Sequence, residues 1–248
     1  MSRRKPIIDP NPVPAELVDG ACVYWNWTQF GDIPHLEPGE HIHSLYHGRM
    51  EGLLPSLPDG RFDAIITDPP YARKWWPFYQ YILDQADRLL RPGGYLLILC
   101  PHMMFDPSAQ ALFIRDGSTM SFRWPLMMNQ AKGGHARLCN AKRNIRVRYK
   151  GIGWWIKEPA DRDYSEVVDS FDNEPPRKGF NWEQSPTWAR YCLGMLKPGS
   201  VVLDPMAGHG VLHLEALRLG HRPVSCEPEP ERVAEIMARI AALKAETS

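Results

Sequence analysis

The chain reads as an α/β protein on a doubly wound, mostly parallel sheet, and three observations predict it. The runs Phe62–Thr67, Tyr95–Cys100 and Val201–Asp204 are nearly continuously apolar, as strands covered on both faces must be. Segments of helical periodicity separate them. The order strand–helix–strand occurs once after about His43 and again towards the carboxyl end, which implies parallel strands joined by crossovers.

The first forty residues are proline-rich and aperiodic, and read as an irregular arm with a few short strands. Ser44–His47 reads as a short strand and Met50–Leu54 as a short helix. After the Phe62–Thr67 strand, a helix is expected from Pro77 to Arg91. Pro77 suits a first turn, and Phe78, Ile82, Ala86 and Leu89 recur at helical spacing. Pro92-Gly93-Gly94 should stop it. Val201–Asp204 is a strand, Gly210–Leu219 a helix closed by Gly220, and Pro223–Cys226 a strand. The last helix, from about Glu229, carries Val233, Ile236, Met237, Ile240 and Leu243 on one face.

Bulk properties bound the rest. The 248 residues suffice for one large domain with an insertion, and 44% hydrophobic content is ordinary for a globular protein. The five cysteines are scattered and form no C-x-x-C, which fits a reduced, cytoplasmic setting. No apolar run is long enough for a membrane span. The basic start Met1–Lys5 is not followed by the apolar core of a signal peptide.

Formal net charge is zero, but it hides an asymmetry. From Gly117 to Lys157 there is no Asp or Glu, and nine Lys and Arg. Within that block Ile145, Val147 and Tyr149 alternate with Arg146, Arg148 and Lys150, the pattern of a strand with one cationic face. Residues 158–174 are acidic instead. They read as a mobile surface loop, the alternative being a cover over the basic face. His41, His43 and His47 have no Cys or acid to complete a set, so they read as structural and no metal is expected.

Two motifs carry chemistry. Asp68-Pro69-Pro70-Tyr71 ends the Phe62–Thr67 strand, where ligands of open α/β sheets bind. Asp68 and the Pro69 carbonyl are acceptors for a flat molecule's amine, and Tyr71 offers a ring for stacking. Asp204-Pro205-Met206-Ala207-Gly208-His209-Gly210 joins a strand to a helix. Its glycines let backbone approach a ligand, and helix N–H groups face it. His213 replaces the third glycine of a dinucleotide fingerprint, and no phosphate loop follows. Glu227 ends the next strand, where an acid commonly holds the ribose hydroxyls of an adenosine.

Together these stretches resemble the DNA amino-methyltransferases of the β group, in which the Asp-Pro-Pro-Tyr motif precedes the glycine motif. The likeness covers about residues 43–100 and 180–240. Met206 and His209 depart from the usual Asp-Pro-Phe-x-Gly-Ser-Gly, Gln184-Ser185-Pro186 stands where Gln-Lys-Pro is usual, and Gly48-Arg49 where Gly-Asp is usual. The Asp of that pair reaches the cofactor's adenine, whereas Arg49 has donors only.

The resemblance implies a Rossmann-like methyltransferase sheet with an inserted target-recognition region. It divides the chain into an arm (1–40), a catalytic half (41–116), a basic-then-acidic insertion (117–180) and a cofactor half (181–248). It implies S-adenosylmethionine as cofactor, held by Asp204, Pro205, Gly208, Gly210, Glu227, Gln184 and Pro186. The partner is double-stranded DNA, contacted by Lys132, Arg137, Lys142, Arg143, Arg146 and Arg148; a homodimer is compatible with it.

Catalysis would rest on Asp68, Pro69, Pro70 and Tyr71. Two acceptors localise the amine's lone pair and aim it at the sulfonium methyl, so positioning and electrostatics supply the rate. The base must be flipped out to reach them, stacking on Tyr71 and, less readily, on Trp75 or Trp76. Carbon methylation of cytosine is excluded, since Cys100-Pro101 reverses the required Pro-Cys. Adenine is favoured over the cytosine amine, because relatives acting on cytosine more often carry Ser in place of Asp68. A protein that binds cofactor or DNA without turnover is the alternative of a different class.

Overall fold

The computed structural model describes residues 16–18, 21–25, 43–71, 75–100, 117–130, 136–137, 146–147, 149–160, 167–174 and 184–247. Its main sheet has ten strands: β1 (Glu16–Val18), β2 (Ala21–Trp25), β3 (His43–His47), β4 (Phe62–Thr67), β5 (Leu90–Leu99), β6 (Met120–Asn129), β9 (Tyr149–Lys157), β10 (Ser170–Asp172), β11 (Val201–Asp204) and β12 (Arg222–Glu227). β7 (Ala136–Arg137) and β8 (Arg146–Val147) form a separate antiparallel pair. The helices are α1 (Met50–Leu53), α2 (Trp76–Leu89), α3 (Pro186–Gly194), α4 (Val211–Arg218) and α5 (Pro230–Thr247). Among the described residues, no helix is long and apolar enough to cross a membrane.

The sheet order is β1-β2-β3-β12-β11-β4-β5-β9-β6-β10. From β2 to β5 every neighbouring pair is parallel. The fold is therefore the expected doubly wound Rossmann-like sheet. Its decisive feature is interleaving. β11 and β12, from the end of the chain, lie between β3 and β4, from its beginning. Leu203 of β11 sits opposite Ile65 of β4, so the loops after both strands open on the same edge of the sheet. The side chain of Asp63 fastens the other end of this pair. It accepts the Val201 N–H at 2.6 Å and pairs with Arg91 at 2.6 Å.

Strand alternation divides the core. Ile65, Leu96 and Ile98 join α1 and α2 on one face, with Tyr79, Ile82, Ala86 and Leu89 of α2 inward. Ala64, Ile66, Leu97 and Leu99 face the other way, against Trp188 and Leu193 of α3 and Leu212 and Ala216 of α4. The apolar stripe of α5 packs Val233, Ile236 and Ile240 against Leu45 and Leu214.

Beyond shifts of a residue or two at element ends, the structure differs from the sequence reading chiefly in four places. α2 ends at Leu89 rather than Arg91, and β5 begins at Leu90, whose φ of −72° and ψ of 142° are extended. Pro92 disfavours helix for Arg91, and Leu90 pairs with Phe62 instead. Second, β6 and β9 of the basic block are bonded into the main sheet, β9 antiparallel to both β5 and β6. Third, the cationic strand expected over 145–150 is divided between β8 and β9, which pair with different strands. Fourth, part of the acidic segment is ordered structure rather than a free loop. β10 pairs in parallel with β6, Phe171 stacks on Tyr191 with centroids 4.1 Å apart, and Asp172 accepts from Asn129 at 3.2 Å. Glu158 pairs with Arg123. Residues 161–166 lie outside the described residues.

A buried imidazole pair accounts for His213 in the glycine motif. His213 lies 2.8 Å from Ser225 Oγ and 3.2 Å from His43 Nδ1. Burial, and then His43 beside it, hold its pKa well below the usual value, so it is neutral. His47 instead faces the Pro228 carbonyl at 3.2 Å. His41 lies outside the described residues.

Candidate active site

A cleft of about 640 Å³ opens along the carboxyl ends of β4, β11 and β12. That is where the strand order reverses and where such sheets bind ligands. Its walls include Asp68, Pro69, Pro70 and Tyr71, and also Asp204, Pro205, Gly208 and Glu227. The two motifs, far apart in sequence, thus face one continuous space. Arg49 and Glu51 close one side, paired with each other at 3.4 Å.

The glycine end is built from backbone. Gly208 and Gly210 both adopt positive φ, 56° and 73°, which favours glycine. Gly210 is the N-cap of α4, and a Cβ there would lie 2.6 Å from Ile236. Gly208 has open space where a side chain would project. Glu227, 3% exposed, holds this turn in place. Its carboxylate accepts the Gly208 N–H at 2.8 Å and the Glu229 N–H at 3.0 Å. Gly210 shapes the turn without lining the cleft, and Pro186 sits in the first turn of α3, also outside its walls.

Three acids gather here. Burial pushes the Asp68 carboxyl up to about 6 and the Asp204 carboxyl up to about 7, and also raises Glu227. Asp204 accepts the Met206 N–H at 3.1 Å. A buried acidic cluster costs free energy as it ionises, and a bound cation would relieve that cost.

The Asp68 end is built from side chains. The Tyr71 hydroxyl donates to Asp68. The same hydroxyl accepts from Gln184 Nε2 at 3.3 Å and lies 3.5 Å from Lys150 Nζ. Gln184, expected on the cofactor, therefore meets the tyrosine of the Asp68 motif. Ser185 explains its placement: the Ser185 side chain caps α3 by accepting from Thr187 N at 3.2 Å. Pro69 is held by Tyr79, whose hydroxyl lies 3.2 Å from the Pro69 carbonyl and 3.4 Å from that of Leu99. The two tryptophans separate. Trp75 lines the cleft beside Phe78, and Trp76 is buried in the core.

Two participants carry no distinguishing signal in the sequence. Tyr79 has the spacing of an ordinary core residue. Lys150 reads as one cation of a surface strand, whereas its ammonium is turned toward Tyr71. Of the candidate DNA contacts, Arg137 and Arg146 occupy paired register positions of β7 and β8. Lys132, Lys142, Arg143 and Arg148 lie outside the described residues.

No family model matches the chain. The type II methyltransferase M.BglII of Bacillus subtilis is 22% identical over 81% of this chain and 69% of its own length. Among solved structures, M1.HpyAVI in complex with SAM aligns with a TM-score of 0.61 at 19% identity, covering 79% of this chain and 99% of the other. The cytosine-N4-specific PvuII DNA methyltransferase aligns at 0.64 and 18% identity, over 79% and 86%. In its motifs, in their order and in its fold, the chain is thus similar to the DNA amino-methyltransferases of the β group.

Proposed function

We propose that this chain is an S-adenosylmethionine-dependent DNA methyltransferase acting on the exocyclic amine of adenine in a flipped-out base. The observation that carries the proposal is the single cleft shared by Asp68 and Glu227. The residues present fit the cofactor. Glu227 is an acceptor for ribose hydroxyls, the Gly208–Gly210 turn gives close approach, and the buried acids suit a sulfonium. Glu51, on the cleft wall beside Arg49, supplies the acceptor that Arg49 lacks. The cofactor brings an electrophilic methyl group.

The chain's own residues do the rest. The target amine displaces the Tyr71 hydroxyl from Asp68 and donates one N–H to that carboxylate. It donates the other to the Pro69 carbonyl. Tyr79 has one hydroxyl proton and two acceptors, so it keeps Leu99 when the amine takes Pro69. The Tyr71 ring stacks on the base. The proton shed after transfer passes to Asp68, whose raised pKa makes it a usable acceptor.

Lys132, Arg137, Lys142, Arg143, Arg146 and Arg148 are the proposed phosphate contacts, so DNA affinity falls steeply with added salt. A flat salt response contradicts that assignment. Nucleosides from DNA incubated with protein and cofactor should contain N6-methyladenine by mass analysis. The likeness to a cytosine-N4 enzyme supplies the second reading: N4-methylcytosine without methyladenine would replace the first. No methyl transfer to any DNA would leave a binding protein without turnover.

A further inference from the structure

β9 runs antiparallel to β5, so its first residues enter beside the carboxyl end of β5, at the mouth of the site. The Gly151 carbonyl accepts the Cys100 N–H at 2.8 Å and fixes this entry. Lys150, the preceding residue, is half-buried and opposite Met128 of β6. Its ammonium stands 5.1 Å from the centroid of the Tyr71 ring, over one face. It lies 3.5 Å from the Tyr71 hydroxyl and 3.5 Å from Gln184 Oε1. Lys150 is not part of the cleft wall, whereas Tyr71 and Gln184 are. The cation therefore backs the tyrosine.

We propose that Lys150 is a positioning residue for the target amine, its ammonium bracing Tyr71 and Gln184 and keeping Asp68 in the proton-free form that accepts N–H bonds. The proposal rests on the methyl-transfer reading of the cleft.

The groups around Asp68 support it. Tyr71 shares its loop, Lys150 comes from β9, Gln184 precedes α3, Asp204 ends β11, Cys100 follows β5 and Tyr79 comes from α2. Asp204 repels a second negative charge, and burial opposes any charge; Lys150 is the cation that acts against both. Arg49, on the cofactor side, is 65% exposed and paired with Glu51. Burial has already carried Asp68 up to about 6. Without Lys150 it would rise further toward neutral pH, and a protonated carboxyl offers the amine a poorer acceptor.

The test compares wild type, Lys150→Met and Lys150→Arg. Single-turnover transfer of labelled methyl to double-stranded DNA is measured from about pH 5 to 9. In Lys150→Met the acid limb should move up by about 1 unit, costing about tenfold in rate below it and little above it. Lys150→Arg should restore the limb. A limb unmoved in Lys150→Met, or a loss equal at every pH, overturns the proposal. A second measurement needs no turnover: carbon NMR titration of the Asp68 carboxyl in the ligand-free protein, assigned by its loss in Asp68→Asn. Its midpoint should rise by the same amount in Lys150→Met, and an unchanged midpoint overturns the proposal. If wild type transfers no methyl group, the function reading fails, and the titration still decides the role of Lys150.

Discussion

The two ends of the cleft are built from different materials. At the glycine end the work is done by backbone: two positive-φ residues, a helix start and N–H groups gathered by Glu227. At the Asp68 end it is done by side chains brought from separate parts of the chain, namely Tyr71, Tyr79, Lys150 and Gln184. Backbone geometry tolerates few sequences, because only glycine enters those conformations cheaply. A side-chain hub can be assembled from many. The first kind of site is written in one short stretch of residues; the second exists only after folding.

That contrast can be broken by mutation. The largest effect should come from Asp68→Ala, which removes the proposed acceptor of the target amine. Methyl transfer should fall by about 10³-fold or more while cofactor still binds; turnover near wild type at saturating cofactor would remove Asp68 from the chemistry. Glu227→Gln should act at the other end alone. Cofactor affinity by calorimetry should weaken by about tenfold or more, since charged hydrogen bonds are each worth about 1.5–3 kcal/mol. An unchanged affinity would detach Glu227 from the cofactor.

Smaller effects sharpen the comparison. Gly210→Ala combines a φ of 73° with a contact 2.6 Å from Ile236, and should cost about 1–3 kcal/mol in urea unfolding. Tyr79→Phe should cost about 1 kcal/mol and leave cofactor affinity alone. Gly194→Ala is the control. It ends α3 with open space where its side chain would go, and should stabilise by about 0.5 kcal/mol. If both glycine variants behave alike, the strain assigned to Gly210 is wrong.

Much of the fold was legible because buried parallel strands betray themselves. Phe62–Thr67 and Val201–Asp204 have the limits that their apolar runs predict. The glycine turn and the acid after β12 were legible for the same local reason. The β6–β9 pairing was not, since Trp124, Phe122 and Tyr149 stay exposed and blur the alternation of a half-buried strand. Lys150 reads as a surface cation because it follows Arg146 and Arg148 at alternating positions, and charge patterning cannot tell an outward lysine from one reaching over a tyrosine. Tyr79 was invisible for the opposite reason: a helical spacing marks burial but not which hydroxyl finds a carbonyl. Residues 170–172 read as loop because acids suggest solvent, yet Phe171 is anchored by Tyr191.

The interleaved strand order has a kinetic consequence. β3 and β4 are separated by two strands, so neither can complete its hydrogen bonding with what lies between them in sequence. On the ribosome, β3 must wait until residues through Glu227 have emerged before β12 can pair with it. Non-local pairing of this kind is slow and leaves apolar edges open meanwhile. A nascent chain stopped before Val201 would hold the whole Asp68 motif and lack the strands β11 and β12 that belong between β3 and β4, so the cleft that joins Asp68 to Glu227 cannot form in it.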